Sequence, residues 1–248
     1  MSRLQLYVLS LRYSSWSIRP WLALRVANAD FDVETVEIPD LGLQGQTDGP
    51  GLVDLRQERL ASRRGQGSVT GLFPVLEVEG TPIHESLAIC EWIAEAYPGA
   101  GLWPADPLDR ARARAVCCEM TTGFRELRSR MLCHVFARVP DYRPDASTTI
   151  EIERVKEIWR ASLDRSSGGF LFGSFGITDC MYFPVLTRFR TYGIELDAEL
   201  EAYAQRVEAH SAVGAWCEAA ASAPAIPVYD EMIRNLGGDP EAARPRPR

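Results

Sequence analysis

The hydrophobic pattern of this chain changes once, close to residue 98, and that change limits the possible folds more than any other feature. Before residue 98, short runs of alternating apolar residues are separated by helix-like segments. After residue 104, apolar residues recur at spacings of three and four, and no pair of strand-like runs stands out. Alternation favours strands, whereas spacings of three and four favour helices. The pattern therefore predicts an α/β domain followed by an all-α domain.

The first domain is expected to contain four strands. Residues 4–8 and 32–38 are strand-like and flank a predicted helix over residues 16–26, so the two strands should be parallel. A third strand over residues 73–78 turns at Glu79-Gly80 into a return strand, which adds an antiparallel edge. A helix that begins at Ser86 completes a mixed sheet with helices, and residues 52–64 are a further candidate helix.

The second domain is expected to be a helical bundle. We divide the chain into a domain over residues 1–98, a linker over 99–106, a helical domain over 107–238 and a tail over 239–248. The tail ends in Pro-Arg-Pro-Arg and has little apolar surface to bury, which predicts disorder. The predicted helices of this domain cover residues 109–139, 149–163, 178–192, 198–209 and 211–221.

Charge and hydropathy narrow the possible partners and the compartment. The net charge is −7 and the isoelectric point about 5.1, which disfavours a nucleic-acid partner. No apolar run approaches the roughly 20 residues that a membrane span needs. The short apolar run at the N-terminus is followed by Arg12 and has no small-residue cleavage site, so we expect a cytoplasmic protein.

The cysteines and histidines do not form a recognisable metal site. The six cysteines include no C-x-x-C pair, and the three histidines are isolated in the chain. Free cysteines in apolar helical segments are typical of buried reduced thiols. We therefore predict no metal.

Three short segments of the first domain carry residues suited to binding a small polar molecule. Tyr13-Ser14-Ser15-Trp16-Ser17-Ile18-Arg19 lies at a strand-to-helix turn. Phe73-Pro74 precedes the hairpin, and His84-Glu85-Ser86 opens the next helix. Each segment alone is a weak signal, but their order and the helical half that follows make a specific combination.

These segments resemble the cytosolic glutathione S-transferases over nearly the whole chain. The Ser-Ser-x-Ser-x-Arg run is similar to the zeta class, with the theta-like serine enzymes as wider kin. The resemblance implies a thioredoxin-like first domain with a mixed four-stranded sheet, followed by a helical bundle. It also implies a homodimer that uses glutathione as co-substrate in detoxification.

The same resemblance assigns roles to individual residues. Ser14 matches the serine that donates a hydrogen bond to the glutathione sulfur, with Ser15 as the alternative. Phe73 would pair through its backbone with the cysteinyl part of glutathione, and the Pro74 bond would be cis. Glu85 and Ser86 match the pair that holds the γ-glutamyl end, although Ser86 is also expected to be a helix cap.

The chain departs from the family pattern at three places. Trp16 stands where zeta enzymes usually carry a cysteine, which weighs against zeta-type isomerisation. Leu72 replaces the Lys, Arg or Gln that the family often places two residues before the proline, so Arg63 or Arg64 is the candidate partner for the glycyl carboxylate. Gly176 occupies the Ser/Thr position of a capping box that ends at Asp179.

The second substrate and the reaction remain open at the sequence level. Candidate pocket residues are Trp16, Met120 and Phe124, which could equally be core, and Arg188 and Arg190 are open candidates for contacting an anion. Conjugation to a small, hydrophobic electrophile is the leading prediction. A maleylacetoacetate-isomerase-like reaction and the cleavage of an ether or halide are alternatives, because a thiolate nucleophile serves these two reactions as well as conjugation. A further alternative is a ligand-binding protein without catalysis.

Overall fold

The computed structural model describes residues 4–36, 64 and 67–244 of the 248-residue chain. Four strands form one sheet in the order β2-β1-β3-β4, with β1 and β2 parallel and the other two pairs antiparallel. The predicted mixed four-stranded sheet is thus confirmed. The strands are β1 (Leu4–Val8), β2 (Phe31–Thr35), β3 (Val75–Val78) and β4 (Thr81–His84).

Two helices pack against each other beside this sheet. Helix α1 (Ser15–Val26) follows β1, and helix α2 (Ser86–Ala96) follows β4. Pro20 lies in the second turn of α1, and the inward side chain of Ile18 is fully buried. The predicted segment over residues 52–64 lies outside the described residues except for Arg64.

The remainder of the described chain is helical, as predicted. Asp106, Asp145 and Asp197 each precede a helix and accept hydrogen bonds from its first backbone N–H groups, which explains where α3, α5 and α7 begin. The helices are α3 (Pro107–Thr122), α4 (Arg125–Arg130), α5 (Ala146–Leu163), α6 (Ile177–Thr191), α7 (Ala198–Glu208), α8 (Ser211–Ser222) and α9 (Pro227–Asn235). The proposed linker, residues 99–106, lies between α2 and α3.

The single helix expected over residues 109–139 is wrong. Helix α3 ends at Thr122, and Phe124 adopts a left-handed backbone with φ of 55°. The carboxylate of Glu151 in α5 accepts a hydrogen bond at 2.7 Å from the backbone N–H of Leu127, in the first turn of α4. This partner lies far away in sequence, so local periodicity could not indicate the break.

The C-terminal part of the chain also differs from expectation. Helix α9 was not among the predicted helices, and residues 239–244, expected to be disordered, lie against the body of the protein. Asp239 and Arg138 exchange two backbone hydrogen bonds of 2.9 Å, and Glu241 forms an ion pair with the buried Arg12. Backbone pairing and a buried charge thus hold a segment that has little apolar surface.

Helix α1 joins the two parts of the molecule. It packs on α2 within the first domain and on α6 and α8 in the second. One hydrophobic core therefore runs from Leu6 and Ile18 to Trp159 and Trp216. Of the helices in the described ranges, none combines the length and apolar character needed to span a membrane.

Candidate functional site

Ser14 lies where the chain leaves β1 and enters α1. Its backbone is extended, and its carbonyl oxygen accepts hydrogen bonds from the N–H groups of Ser17 and Ile18 at 3.1 and 3.2 Å. Its hydroxyl lies 2.8 Å from the Ser17 hydroxyl and caps no backbone N–H of the helix. Because the side chain is only half-buried, this hydroxyl can donate to an anion placed at the helix N-terminus.

Ser15 has a different environment. Its side chain is buried, and a guanidinium nitrogen of Arg188, Nη2, lies 3.5 Å from its hydroxyl oxygen. Between the two serine candidates, Ser14 is therefore the one that a ligand reaches more easily.

The residue before Ser14 is anchored by the C-terminal helix. The Tyr13 hydroxyl donates to Asp230 at 2.7 Å and accepts from the backbone N–H of Ile226 at 3.2 Å. His134 Nδ1 accepts from the Phe136 N–H at 3.3 Å, so Nε2 carries the proton toward Asp230 at 3.0 Å. Burial, followed by the hydrogen bond to Asp230, raises the pKa of Tyr13 to about 12.

The Phe73–Pro74 peptide bond is cis, as the resemblance implied. The Phe73 ring is buried in a small cluster with Val36 and Val75. The N–H and C=O of Phe73 form no hydrogen bond with any residue in the described ranges. An extended peptide can therefore pair with this residue as an added strand would.

Glu85, rather than Ser86, caps helix α2. Glu85 has a positive φ of 74°, and its Oε2 accepts a hydrogen bond from the Leu87 N–H at 2.9 Å. Ser86 is 1% exposed, and its hydroxyl donates to the Trp16 carbonyl at 3.0 Å. This bond joins the first turns of α1 and α2, and so brings the Ser14 segment and the Glu85-Ser86 pair together.

The three predicted pocket residues divide into two groups. Trp16 is half-buried, with the guanidinium carbons of Arg19 and Arg128 at 4.1 and 5.3 Å from its ring centroid. Met120 and Phe124 are buried in the main hydrophobic core instead. The assignment of these two residues to a substrate pocket therefore stays a prediction, because core packing alone already accounts for their burial.

Among the described residues 64 and 67–73, just before Pro74, Arg64 is the one cation. Leu72 is 63% exposed, and its carbonyl accepts from the Ser68 hydroxyl at 2.6 Å. Arg64 is exposed and donates from Nε to the Val69 carbonyl at 3.1 Å, so its guanidinium lies on the loop that leads to Leu72. Arg63 lies outside the described residues.

Gly176 precedes α6 for a reason that the sequence did not reveal. A Cβ atom at this position would lie 2.6 Å from the Leu102 carbonyl oxygen, so a serine has no room. Asp179 keeps its half of the capping box and accepts from the Gly176 N–H at 2.9 Å. The Leu171 N–H and the Tyr203 hydroxyl also donate to this buried carboxyl group, and burial raises its pKa to about 7.

Sequence reasoning assigned no role at the site to Tyr13, Arg19, Arg128 or Asp230. Tyr13 and Arg19 could have been noticed, because they flank the serine run in the sequence. Arg128 and Asp230 are distant in sequence, and the fold alone brings them to the site. The described residues contain no group of three or more His, Cys, Asp or Glu arranged to hold a metal ion.

Two family models match this chain. Residues 13–96 match the N-terminal domain of glutathione S-transferases, and residues 124–219 match the C-terminal domain. Both parts of the predicted architecture are therefore matched in the predicted order.

Curated relatives match over shorter stretches. A probable maleylacetoacetate isomerase of Caenorhabditis elegans is 32% identical over 113 residues, which is 46% of this chain and 44% of the relative. The maleylacetoacetate isomerase of Rhizobium meliloti is 52% identical over 46 residues, or 18% and 22% of the two chains. The matched stretches thus span less than half the length of these relatives.

Solved structures match over most of the chain. A glutathione transferase homolog from Burkholderia with bound glutathione superposes with a TM-score of 0.63 at 20% identity, covering 88% of this chain and 98% of that one. A Tau class glutathione S-transferase from mango gives a TM-score of 0.60 at 19% identity, covering 94% and 98%. These superpositions confirm the fold.

Proposed function

Since this chain belongs to the glutathione S-transferase family, we propose that it binds glutathione and activates the thiol for attack on a small electrophile. The observation that carries this proposal is the half-buried Ser14 hydroxyl, which stands at the N-terminus of α1 without serving as a cap. Support also comes from the Burkholderia homolog, whose structure contains bound glutathione.

Thiol activation is the chemical task of this serine. A thiol with a pKa of about 8.5 is only about 3% ionised at pH 7, whereas lowering the pKa by two units makes it roughly 75% thiolate. A hydroxyl donor and the N-terminal end of a helix dipole both stabilise the anion. Ser14 supplies the donor and α1 supplies the dipole, so the nucleophile forms near neutral pH.

The other parts of glutathione, its cysteinyl backbone and its two charged ends, each have a candidate partner in this chain. The backbone of Phe73 pairs with the cysteinyl part as an added strand would. The γ-glutamyl carboxylate lies at the N-terminus of α2 near Ser86, and Glu85 meets the ammonium group. Arg64 is our candidate for the glycyl carboxylate, because it lies on the loop before Leu72.

A glutathione-dependent isomerisation is the second candidate reaction. It is supported by the similarity to the two maleylacetoacetate isomerases. Trp16, in the position of the usual zeta cysteine, weighs against it. Both reactions begin with the same thiolate, so they share the assignment of Ser14.

We further propose a homodimer, a cytoplasmic location and a role in detoxification. These proposals rest on the family membership, and light scattering tests the first of them.

Retention on immobilised glutathione, together with turnover of 1-chloro-2,4-dinitrobenzene, tests the proposed function. We expect retention that free glutathione reverses, and conjugation above the uncatalysed rate. Retention without turnover of any electrophile would identify a binding protein instead. Absence of retention would overturn the glutathione assignment.

A further inference from the structure

The loop that presents Ser14 is held by residues from the other end of the chain. It connects β1 to α1 over residues 9–14. Within the described ranges, the side chains of Arg12 and Tyr13 form no hydrogen bond with the sheet domain. Arg12 instead forms an ion pair with Glu241, and the Tyr13 hydroxyl is bonded to helix α9. The two residues just before Ser14 are therefore fixed from the C-terminal part of the chain.

Helix α9 contacts Tyr13 at three places around its first turn. The Ile226 N–H donates to the Tyr13 hydroxyl at 3.2 Å, and this hydroxyl donates to Asp230 at 2.7 Å. The Tyr229 ring stacks on the Tyr13 ring, with 5.1 Å between the ring centroids and 19° between the ring planes. The start of the helix thus fixes both the position and the tilt of this one side chain.

Asp230 lies at the centre of these contacts. It is buried, and a single oxygen, Oδ1, accepts from the Tyr13 hydroxyl and from His134 Nε2 at 3.0 Å. Burial opposes the ionisation of Asp230, but the hydrogen bonds from Tyr13 and His134 outweigh it and lower the pKa of the carboxyl group. Leaving a buried carboxylate without its donors is costly, so Asp230 holds Tyr13 in one place.

His134 is itself fixed within the helical domain. Its Nδ1 accepts from the Phe136 N–H at 3.3 Å, and its carbonyl oxygen accepts from the Thr191 hydroxyl at 2.9 Å. Burial lowers the pKa of His134 in spite of the neighbouring Asp230, which favours the neutral ring. The Tyr13 ring meets this imidazole edge to face, with 4.8 Å between the centroids. Asp230 and Tyr13 therefore rest on a rigid part of the helical domain.

Ser14 depends on this support because its own side chain is weakly fixed. Among the described residues, the Ser14 hydroxyl has one hydrogen-bond partner, the Ser17 hydroxyl at 2.8 Å. A functional group must be held within about 0.5 Å of its productive position to act on a bound ligand. Tyr13 and Ser14 share a peptide bond, so a displacement of Tyr13 moves Ser14 with it.

We propose that Asp230 is a positioning residue: by holding the Tyr13 hydroxyl, it keeps the Ser14 hydroxyl where it can donate to the sulfur of glutathione. This inference rests on the proposed function. It extends the functional part of the chain to α9, which lies beyond the stretches that the two family models match. A purely structural role, in which Asp230 only fastens α9, makes different predictions.

Hydrogen exchange without glutathione tests whether Asp230 fixes Ser14. The Ser17 and Ile18 N–H groups donate to the Ser14 carbonyl at 3.1 and 3.2 Å, so their exchange, followed by NMR, reports on its position. Asp230→Ala should accelerate the exchange of both amides by about fivefold or more and leave the four strands unchanged. Asp230→Asn keeps an oxygen that both donors can reach, so it should restore exchange to the wild-type rate.

Glu231→Ala is the matched control. Glu231 follows Asp230 in α9, but it is exposed and pairs only with Arg234 at 3.4 Å. An exposed ion pair of this kind contributes little to stability. The variant should therefore leave unchanged both the exchange at the start of α1 and the ionisation of bound glutathione.

The ionisation of bound glutathione tests whether the positioning matters for the reaction. Asp230→Ala should raise the pKa of the bound thiol by about half a unit or more, whereas Asp230→Asn should not. The affinity for glutathione should stay within about threefold, because its proposed partners Phe73, Glu85 and Ser86 are untouched. In a Ser14→Ala background, Asp230→Ala should cause no further rise, since Asp230 acts through Ser14.

Tyr13→Phe provides an independent variant, because it removes the hydroxyl alone and keeps the stacked ring. It should reproduce the faster exchange and the raised thiol pKa of Asp230→Ala, and it carries the test if Asp230→Ala does not fold.

The two measurements separate this inference from the proposed function. Unchanged exchange of the Ser17 and Ile18 amides in Asp230→Ala and Tyr13→Phe would overturn the positioning role. So would an equal rise in the thiol pKa with and without the Ser14 hydroxyl. If the wild-type thiol is ionised near neutral pH and neither variant changes its pKa, only the positioning role is wrong. If exchange accelerates but the wild-type thiol is not ionised, the anchoring of Ser14 stands and the proposed thiol activation is wrong.

Discussion

Gly176 shows how one residue can be dictated by a neighbour that is distant in sequence. The family pattern leads one to expect a hydroxyl residue at this cap, and its absence looked like a lost hydrogen bond. The Leu102 carbonyl oxygen occupies the space of a side chain and accepts from the Ile177 N–H at 2.9 Å. The linker and α6 thus approach so closely that only glycine fits.

Replacing this glycine should destabilise the protein. Gly176→Ala places a methyl group against a backbone oxygen, and we expect a loss of about 1–3 kcal/mol in the free energy of unfolding. Gly214→Ala is the control, since a Cβ there meets nothing within 4 Å in α8, and it should stabilise by about 0.5–1 kcal/mol. Urea denaturation of both variants checks this, and a neutral Gly176→Ala would contradict the steric account.

Asp179 should make stability depend on pH. Burial raises its folded-state pKa from 3.8 to about 7, so the folded state holds a proton that the unfolded state releases. Its contribution is complete below the unfolded pKa and is lost as the pH rises through about 7. The stability of the protein relative to Asp179→Asn should fall by up to about 1.4 kcal/mol per pH unit between pH 5 and 7 and level off above that range. Denaturation at several pH values measures this difference, and a difference that grows with pH would be the opposite result.

At the scale of elements, the sequence predicted the strands and most helices because each has its own periodicity. It did not predict the helix boundaries and the helix that depend on contacts between residues distant in sequence. The end of α3 depends on Phe124 and on Glu151 from another helix. Helix α9 is short and begins with a proline, and its buried Asp230 looks like a surface residue until Tyr13 and His134 are placed beside it.

The bond between Tyr13 and α9 should hold that helix in place. Tyr13→Phe leaves the Ile226 N–H without its acceptor and Asp230 with one donor fewer, which should cost about 1–2 kcal/mol. Hydrogen exchange should accelerate in α9 and remain unchanged in the four strands. Tyr97→Phe serves as the control, because the Tyr97 hydroxyl forms no hydrogen bond with the described residues. Unchanged exchange in α9 would show that the bond is not needed.

At the scale of the whole molecule, the candidate site lies where the two domains meet. The three motifs that sequence reasoning identified all belong to the sheet domain, and the Ser86–Trp16 hydrogen bond joins two of them. The helical domain adds Arg188, which the sequence offered only as an open candidate, and Arg128, which no sequence pattern indicated. The fold and the proposed glutathione site could therefore be anticipated from short patterns, whereas the residues that the helical domain brings to the candidate site depend on packing between domains.

The ionisation of bound glutathione tests the central assignment most directly. Thiolate absorbance is followed against pH for the wild-type complex and for Ser14→Ala and Ser15→Ala. We predict that Ser14→Ala raises the pKa of the bound thiol by about one unit or more, in line with the loss of a charge-assisted hydrogen bond. Ser15→Ala should change this pKa less, because the Ser15 side chain is buried whereas that of Ser14 is half-exposed. An unchanged thiol pKa in Ser14→Ala, with glutathione still bound, would contradict the account.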